Sequence, residues 1–286
     1  MDAYISIDQG TTSSRSILFG EDGSILNSYQ KEFKQIYPKP GWVEHDPEEI
    51  WETTKSVLTK LYNSEIAKKY NVRGIGITNQ RETTIVWDKK TGKPLYNAIV
   101  WQDRRTSDFC KKLVNDGLEN KIISKSGLVI DPYFSASKIK WILDNVPDAR
   151  SKAKNNEICF GTVDSFLLWR LTDKNVHATD ATNASRTSLY NIEKLEWDEE
   201  LLEIFDVPKC IMPNVMDSNS KFGNVSKNVM DFELPILSIL GDQQAAAVGQ
   251  ACFEPGSIKS TYGTGCFVII NSGDKIIKSK SRLLGT

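Results

Sequence analysis

Apolar and polar positions alternate in short blocks from the first residues. Tyr4-Ile5-Ser6-Ile7 predicts a strand over 4–7, and the polar run Asp8-Gln9-Gly10-Thr11-Thr12-Ser13-Ser14-Arg15 breaks it. Ser16-Ile17-Leu18-Phe19 predicts a second strand, and Glu21-Asp22-Gly23-Ser24 turns the chain into a third over 25–29. Tyr37-Pro38-Lys39-Pro40-Gly41-Trp42 is too rich in Pro and Gly for regular structure. Asp46-Pro47-Glu48-Glu49 then predicts a helix start: a capping carboxylate, Pro at the first helical position, and acids in the first turn. Ile50, Val57, Leu58 and Leu61 continue one apolar face, and the helix ends before a buried strand over 72–77.

Further helices are predicted over 103–118, 137–146, 162–171 and 198–205. The second carries Ile139, Ile142, Leu143 and Val146 at i, i+3, i+4, i+7 spacing. A buried strand over 235–240 runs into Gly241-Asp242-Gln243-Gln244 and a helix over 245–252. After Glu254-Pro255-Gly256, strands over 258–262 and 267–270 flank Gly263-Thr264-Gly265-Cys266. This alternation reads as mixed α/β. The strand–loop–strand of 5–19 is echoed at 258–270, with a Gly-Thr loop in both copies. Only 29 residues run from Ile258 to Thr286, too few for a second α/β unit as large as the first. The expected division is therefore one domain over 1–253 and the opening hairpin of an incomplete second over 254–286.

Charge and composition narrow the classes. The 286 residues carry 36 Lys+Arg against 37 Asp+Glu, a net charge of −1, which argues against a nucleic-acid binder built on clustered cations. The five cysteines are odd in number and form no C-x-x-C pair, so they read as free thiols in a reducing compartment. Two histidines, His45 and His177, exclude a His-rich metal site; neither has a partner at suggestive spacing, and both are assigned structural roles. No basic region followed by an apolar stretch opens the chain, and no apolar run has the length of a membrane span. A cytoplasmic protein without nucleic-acid or membrane partners is expected. In that compartment the sequons at Asn183 and Asn224 carry no meaning.

Three segments could carry chemistry. A hairpin loop dense in Gly, Thr and Ser at 8–15 can aim N–H groups and hydroxyls at an anion, with Arg15 pairing with phosphate oxygens and Asp8 holding Mg²⁺ through water. The same residues also suit a polar surface turn, although four consecutive hydroxyls closed by an Arg exceed what a turn needs. The Walker A pattern, the G-x-G-x-x-G fingerprint and the protein-kinase signatures are absent. Asp242 follows a buried strand and opens a helix, which suits either a catalytic carboxylate at a sheet rim or a plain N-cap. Arg81-Glu82 follows the strand over 72–77 and suits either polyol hydroxyls or a surface ion pair. Aromatic residues default to core packing, but Trp101 is followed at once by Gln102-Asp103-Arg104-Arg105.

Eight motifs in order extend these readings: 8–15 (DQGTTSSR), 37–47 (YPKPGWVEHDP), 77–84 (ITNQRETT), 97–101 (NAIVW), 127–134 (GLVIDPYF), 182–186 (TNASR), 241–244 (GDQQ) and 261–267 (TYGTGCF). Together they resemble the FGGY carbohydrate-kinase family, in its glycerol-phosphorylating branch, through the whole chain. The resemblance implies two ribonuclease-H-like domains of the actin and hexokinase type, with mixed sheets and flanking helices. ATP and polyol would meet between them, and most of the second domain would be missing here. It implies Asp242 as general base, and a polyol site of Arg81, Glu82, Trp101, Tyr133, Asp242, Gln243 and Phe267. It places the nucleotide phosphates on Thr11, Thr12, Ser13, Arg15, Thr264 and Gly265, and Mg²⁺ near Asp8 and Asp242. The helix N-terminus is expected to keep Asp242 ionised and only weakly basic. The implied activity is ATP-dependent phosphorylation of glycerol by a homo-oligomeric full-length enzyme, with the isolated fragment inactive. Alternatives are a kinase of another polyol or sugar, in which Asn79–Glu82 discriminates, or a non-catalytic binding fragment.

Overall fold

The computed structural model describes residues 1–262, 265–277, 279 and 281–286. Its centre is a six-stranded mixed sheet. Strands β1 (Asp2–Gln9), β2 (Ser13–Gly20) and β3 (Ile25–Glu32) form an antiparallel meander. After the short strand β4 (Glu44–His45) and helix α1 (Pro47–Tyr62), strand β5 (Asn71–Asn79) pairs parallel to β1. The strand Pro235–Gly241 pairs parallel to β5, and the short Gly223–Asn224 closes that edge. This mixed sheet with flanking helices is the expected fold class.

The alternation that predicts the strands is their burial. Ala3, Ile5 and Ile7 of β1 and Leu18 of β2 point into the core, where α1 covers them with Ile50, Leu58 and Leu61. Helix α1 starts as its sequence predicts: the Asp46 carboxylate accepts the Glu48 N–H at 2.9 Å and Pro47 opens the helix. Two polar side chains lie on the buried face because α1 satisfies them: Ser14 Oγ lies 2.9 Å from Thr53 Oγ1, and Ser16 donates to the Val57 carbonyl at 2.8 Å.

Several expectations need correction. The first two strands run further than predicted, so the polar loop shrinks to three residues, 10–12. Asp8 and Arg15 thereby become cross-strand partners, joined by a 2.8 Å ion pair. The helix at Asp242 begins three residues earlier than predicted, at Asp242 itself; Gly241 is the N-cap, and Asp242 is the first helical residue. The helices Glu119–Ser126 and Ala149–Lys154 have no counterpart in the prediction. Within the charged run at 102–105, Asp103 is buried and Arg104 is exposed. The Arg105 side chain is fully buried, bonded to Glu44 at 2.7 Å and Asp103 at 2.9 Å, with its guanidinium 3.8 Å from the centre of the Trp42 ring.

The strands Ile258–Tyr262 and Cys266–Ile270 pair antiparallel as predicted. Ile258, Val268 and Ile270 share the exposed side of that hairpin. Among the described residues no helix is long and apolar enough to cross a membrane.

Candidate active site

Register brings the carboxyl ends of three parallel strands side by side, with Gln9 opposite Asn79 and Asn79 opposite Gly241. Just beyond these ends lie the Gly10 loop, the Gln80-Arg81-Glu82 turn and the Asp242 helix. This is the rim where open α/β sheets bind ligands. A cavity of about 150 Å³ sits there, floored by Gln80, Arg81, Glu82, Asp242 and Gln243. Trp101, Tyr133 and Phe267 wall it, and Thr11, Thr261 and Gly265 complete its lining.

Each floor residue is held by a named contact. Arg81 is 5% exposed; its Nε donates to Asp242 Oδ1 at 3.0 Å and its Nη1 to Gln244 Oε1 at 3.3 Å. Its aliphatic stem lies on Gly241, where an added Cβ would come within 2.5 Å of Arg81 Cδ, so the close approach requires glycine. Glu82 sits at a left-handed φ of 60°, a conformation that costs an L-residue about 1–2 kcal/mol. Hydroxyls of Thr84 and Ser135 both donate to its carbonyl at 3.1 Å, and Arg186 Nε donates to its Oε1 at 2.6 Å. Trp101 meets Tyr133 and Phe267 edge-on, with ring centroids 5.8 and 6.0 Å apart, and its indole N–H donates to Thr11 Oγ1 at 3.0 Å.

The electrostatics follow from burial. Loss of solvent raises the Asp242 pKa; Glu82 adds to the rise and Arg81 opposes it. The helix terminus favours the ionised carboxylate, while loss of solvent moves the Asp242 pKa upward from its ordinary value. Burial works against the charge on Arg81, but Glu82, Asp242 and Tyr133 more than offset it and raise its pKa. Burial, with Glu82 beside it, pushes Tyr133 up to about 12, so it stays a neutral phenol able to donate. One oxygen of Asp242, Oδ1, takes both Arg81 and the Gln243 N–H; among the described residues no hydrogen bond reaches Oδ2.

All seven residues of the expected polyol site line this one cavity, together with Thr11 and Gly265 of the expected phosphate set. Thr12, Ser13 and Arg15 do not line it. Thr12 and Arg15 are exposed, Arg15 is paired with Asp8, and Ser13 accepts from Gln30 at 2.8 Å. Thr264 lies outside the described residues. Mg²⁺ keeps waters and phosphate oxygens and needs only one or two carboxylates from a protein. Asp8 fits that demand: Arg15 occupies its Oδ2, and no hydrogen bond among the described residues reaches Oδ1. His45 is buried and His177 half-buried against Trp87 and Trp169, and loss of solvent lowers each pKa to about 4.

Sequence reasoning missed the layer behind the cavity. Thr182 Oγ1 accepts the Gly241 N–H at 2.8 Å and donates to Asp180 at 2.6 Å, tying the start of the Asp242 helix to a short helix over Ala181–Ala184. Lys138, fully buried, donates to the Tyr133 carbonyl at 2.5 Å, and burial lowers its pKa to about 8. Asp164, also fully buried, accepts from Thr162 and Thr179 at 2.5 and 2.6 Å, and burial raises its pKa to about 7. The folded protein thus holds a proton on Asp164 between pH ~4 and ~7 that the unfolded chain releases, so this group's contribution to stability falls as pH rises through that window. Asp164→Asn is expected to remove the fall, which is on the order of a few kcal/mol. Urea midpoints at pH 4.5 and 7.5 measure it; parallel shifts for the variant and the unmodified protein would contradict it.

Against known proteins, the model described as "FGGY family of carbohydrate kinases, N-terminal domain" matches residues 3–249. A glycerol kinase from Marinomonas sp. is 57% identical over 282 residues, covering 99% of this chain and 57% of that relative. The crystal structure of Plasmodium falciparum glycerol kinase with ADP superposes with a TM-score of 0.94 at 39% identity, covering 99% of this chain and 57% of that one. A ligand-bound xylulose kinase from Lactobacillus acidophilus superposes at 0.83 with 22% identity over 94% of this chain and 54% of its own, a likeness of fold alone. The chain spans about 57% of the length of the curated relatives it matches.

Proposed function

The chain belongs to the FGGY family of carbohydrate kinases, and from that premise we propose that it supplies the polyol-binding part of an enzyme that phosphorylates glycerol with ATP, giving sn-glycerol 3-phosphate. The observation that carries the proposal is the convergence of Arg81, Glu82 and Asp242 with Trp101, Tyr133 and Phe267 on one cavity of about 150 Å³. A three-carbon polyol offers three hydroxyls that both donate and accept, and a floor of one guanidinium and two carboxylates matches them. The aromatic wall covers the carbon skeleton.

In the proposed mechanism Arg81, Glu82 and Tyr133 hold two hydroxyls, leaving the terminal one against Asp242. Oδ1 of Asp242 is fixed by Arg81 and the Gln243 N–H, so Oδ2 takes the proton as the hydroxyl attacks the γ-phosphate in line. A raised pKa brings this carboxylate nearer the proton it accepts. Phosphoryl transfer runs through a loose transition state, so positioning and charge stabilisation carry the acceleration. Mg²⁺, held through water by Asp8 and near Asp242, would neutralise phosphate charge. Thr11, Thr12, Ser13, Arg15, Thr264 and Gly265 are the proposed phosphate contacts, of which Arg15 would have to exchange Asp8 for a phosphate oxygen. The proposed setting is cytoplasmic.

We place the end of the first domain at residue 253. The exposed apolar side of the 258–270 hairpin supports this, because a two-stranded hairpin is marginally stable alone and such a face belongs inside a larger sheet. For residues 1–286 by themselves we infer weak glycerol binding and negligible turnover, since 43% of the Marinomonas relative's length has no counterpart here.

The test is a coupled assay on the chain completed with the C-terminal portion of a relative, offering glycerol, xylulose, ribulose and gluconate. Preference for glycerol is expected. Preference for a pentulose would replace glycerol with another acceptor, and phosphorylation of none of the four would refute the kinase reading.

A further inference from the structure

Behind the cavity, one guanidinium touches two of its walls. Arg186 Nε donates to Glu82 Oε1 at 2.6 Å, with side-chain exposures of 4% and 2%. Its Cζ lies 5.4 Å from the centre of the Tyr133 ring and 5.0 Å from that of Phe134. Arg186 follows the short helix capped by Asp180, and its own N–H is bonded to the Asn183 carbonyl at 3.0 Å, so its backbone is anchored independently of the cavity.

We propose that Arg186 is a positioning residue that gives the site its discrimination between glycerol and three-carbon polyols lacking a hydroxyl. It acts by fixing the Glu82 carboxylate and the Tyr133 ring as one unit, and it rests on the polyol site proposed above. Among the described residues Arg186 is the sole hydrogen-bond donor to the Glu82 carboxylate. Oε2 carries no such bond, and Glu82 lines the cavity, so Oε2 is the oxygen left for the ligand. A carboxylate this buried is costly to leave without its partner, so it would turn away from the cavity if it lost it. The backbone at Glu82 cannot relax freely, because its left-handed conformation is pinned through its carbonyl. The same guanidinium lies over the ring of Tyr133, which walls the same cavity. Lysine can supply neither a planar fork nor a stacking face, so a charge alone does not replace it.

Calorimetric titration of residues 1–286 with glycerol, propane-1,2-diol and propane-1,3-diol tests this. Arg186→Met is expected to weaken glycerol at least tenfold and the diol that omits the Glu82-bound hydroxyl by less than threefold, collapsing the ratio between them. Glu82→Gln should produce the same collapse, and the double variant should be no worse than the weaker single. Arg186→Lys keeps a positive charge opposite Glu82; it should stay folded and still lose most of the discrimination, which keeps the proposal open to test if Arg186→Met fails to fold. Equal weakening of glycerol and both diols, or additive losses in the double variant, would overturn it and leave the polyol site standing. An unmodified chain that binds no glycerol would overturn the site and this proposal together.

Discussion

Asp242→Asn is expected to lower turnover by about 10²–10⁴-fold in the completed enzyme while leaving the fold and glycerol binding close to unchanged. Asparagine preserves the shape and one acceptor, so the Arg81 and Gln243 contacts to Oδ1 can persist. What it removes is the oxygen that takes the proton. The same carboxylate sets a pH signature. Burial raises its pKa, so activity that needs the ionised form is lost as pH falls through a value above the ordinary carboxylate range. Steady-state turnover against pH, with calorimetric glycerol affinity as control, measures both effects. Near-normal turnover in the variant would remove Asp242 from the mechanism.

Arg81→Met is expected to weaken the use of glycerol by roughly 10²-fold, the scale of losing one or two hydrogen bonds to a charged group. It also moves the acidic limb. Arg81, ahead of Gln243, lowers the Asp242 pKa against burial, so without it that pKa climbs further and activity fails at a higher pH than in the unmodified protein. Arg81→Lys is expected to rescue little, because its ammonium cannot reproduce the Nε contact to Asp242 and the Nη1 contact to Gln244 together. The kcat/KM profile over pH decides: an unshifted limb would mean that Arg81 does not govern the base.

The parts legible in the sequence are those decided by near neighbours. The start of α1 rests on four consecutive residues, Asp46 to Glu49, and forms as read. The strand ends were read short because Gln9 and Ser14 are polar yet buried, and only the distant side chains of α1 and the loop at Gln80 make that tolerable. Nothing in the run at 102–105 signals the buried Arg105 side chain, because its partner Glu44 lies some 60 residues away. Arg186 was hidden in the same way: it meets Glu82 across 104 positions, and nothing in Ala184-Ser185-Arg186 says that the side chain turns inward. The helix Glu119–Ser126 ends on Gly127 at a φ of 73°, a terminator that the sequence does contain. Of the candidate site, the family motifs carried the floor and walls, while the layer that orients them came from long-range packing.

The proposed site is a glycerol-sized polyol pocket on Arg81, Glu82 and Asp242. Titrating glycerol and then xylulose into residues 1–286 tests it directly. The expected result is weak, saturable, one-to-one glycerol binding that Glu82→Gln weakens at least tenfold and that xylulose does not match. No glycerol binding, or tighter binding of xylulose, would contradict it.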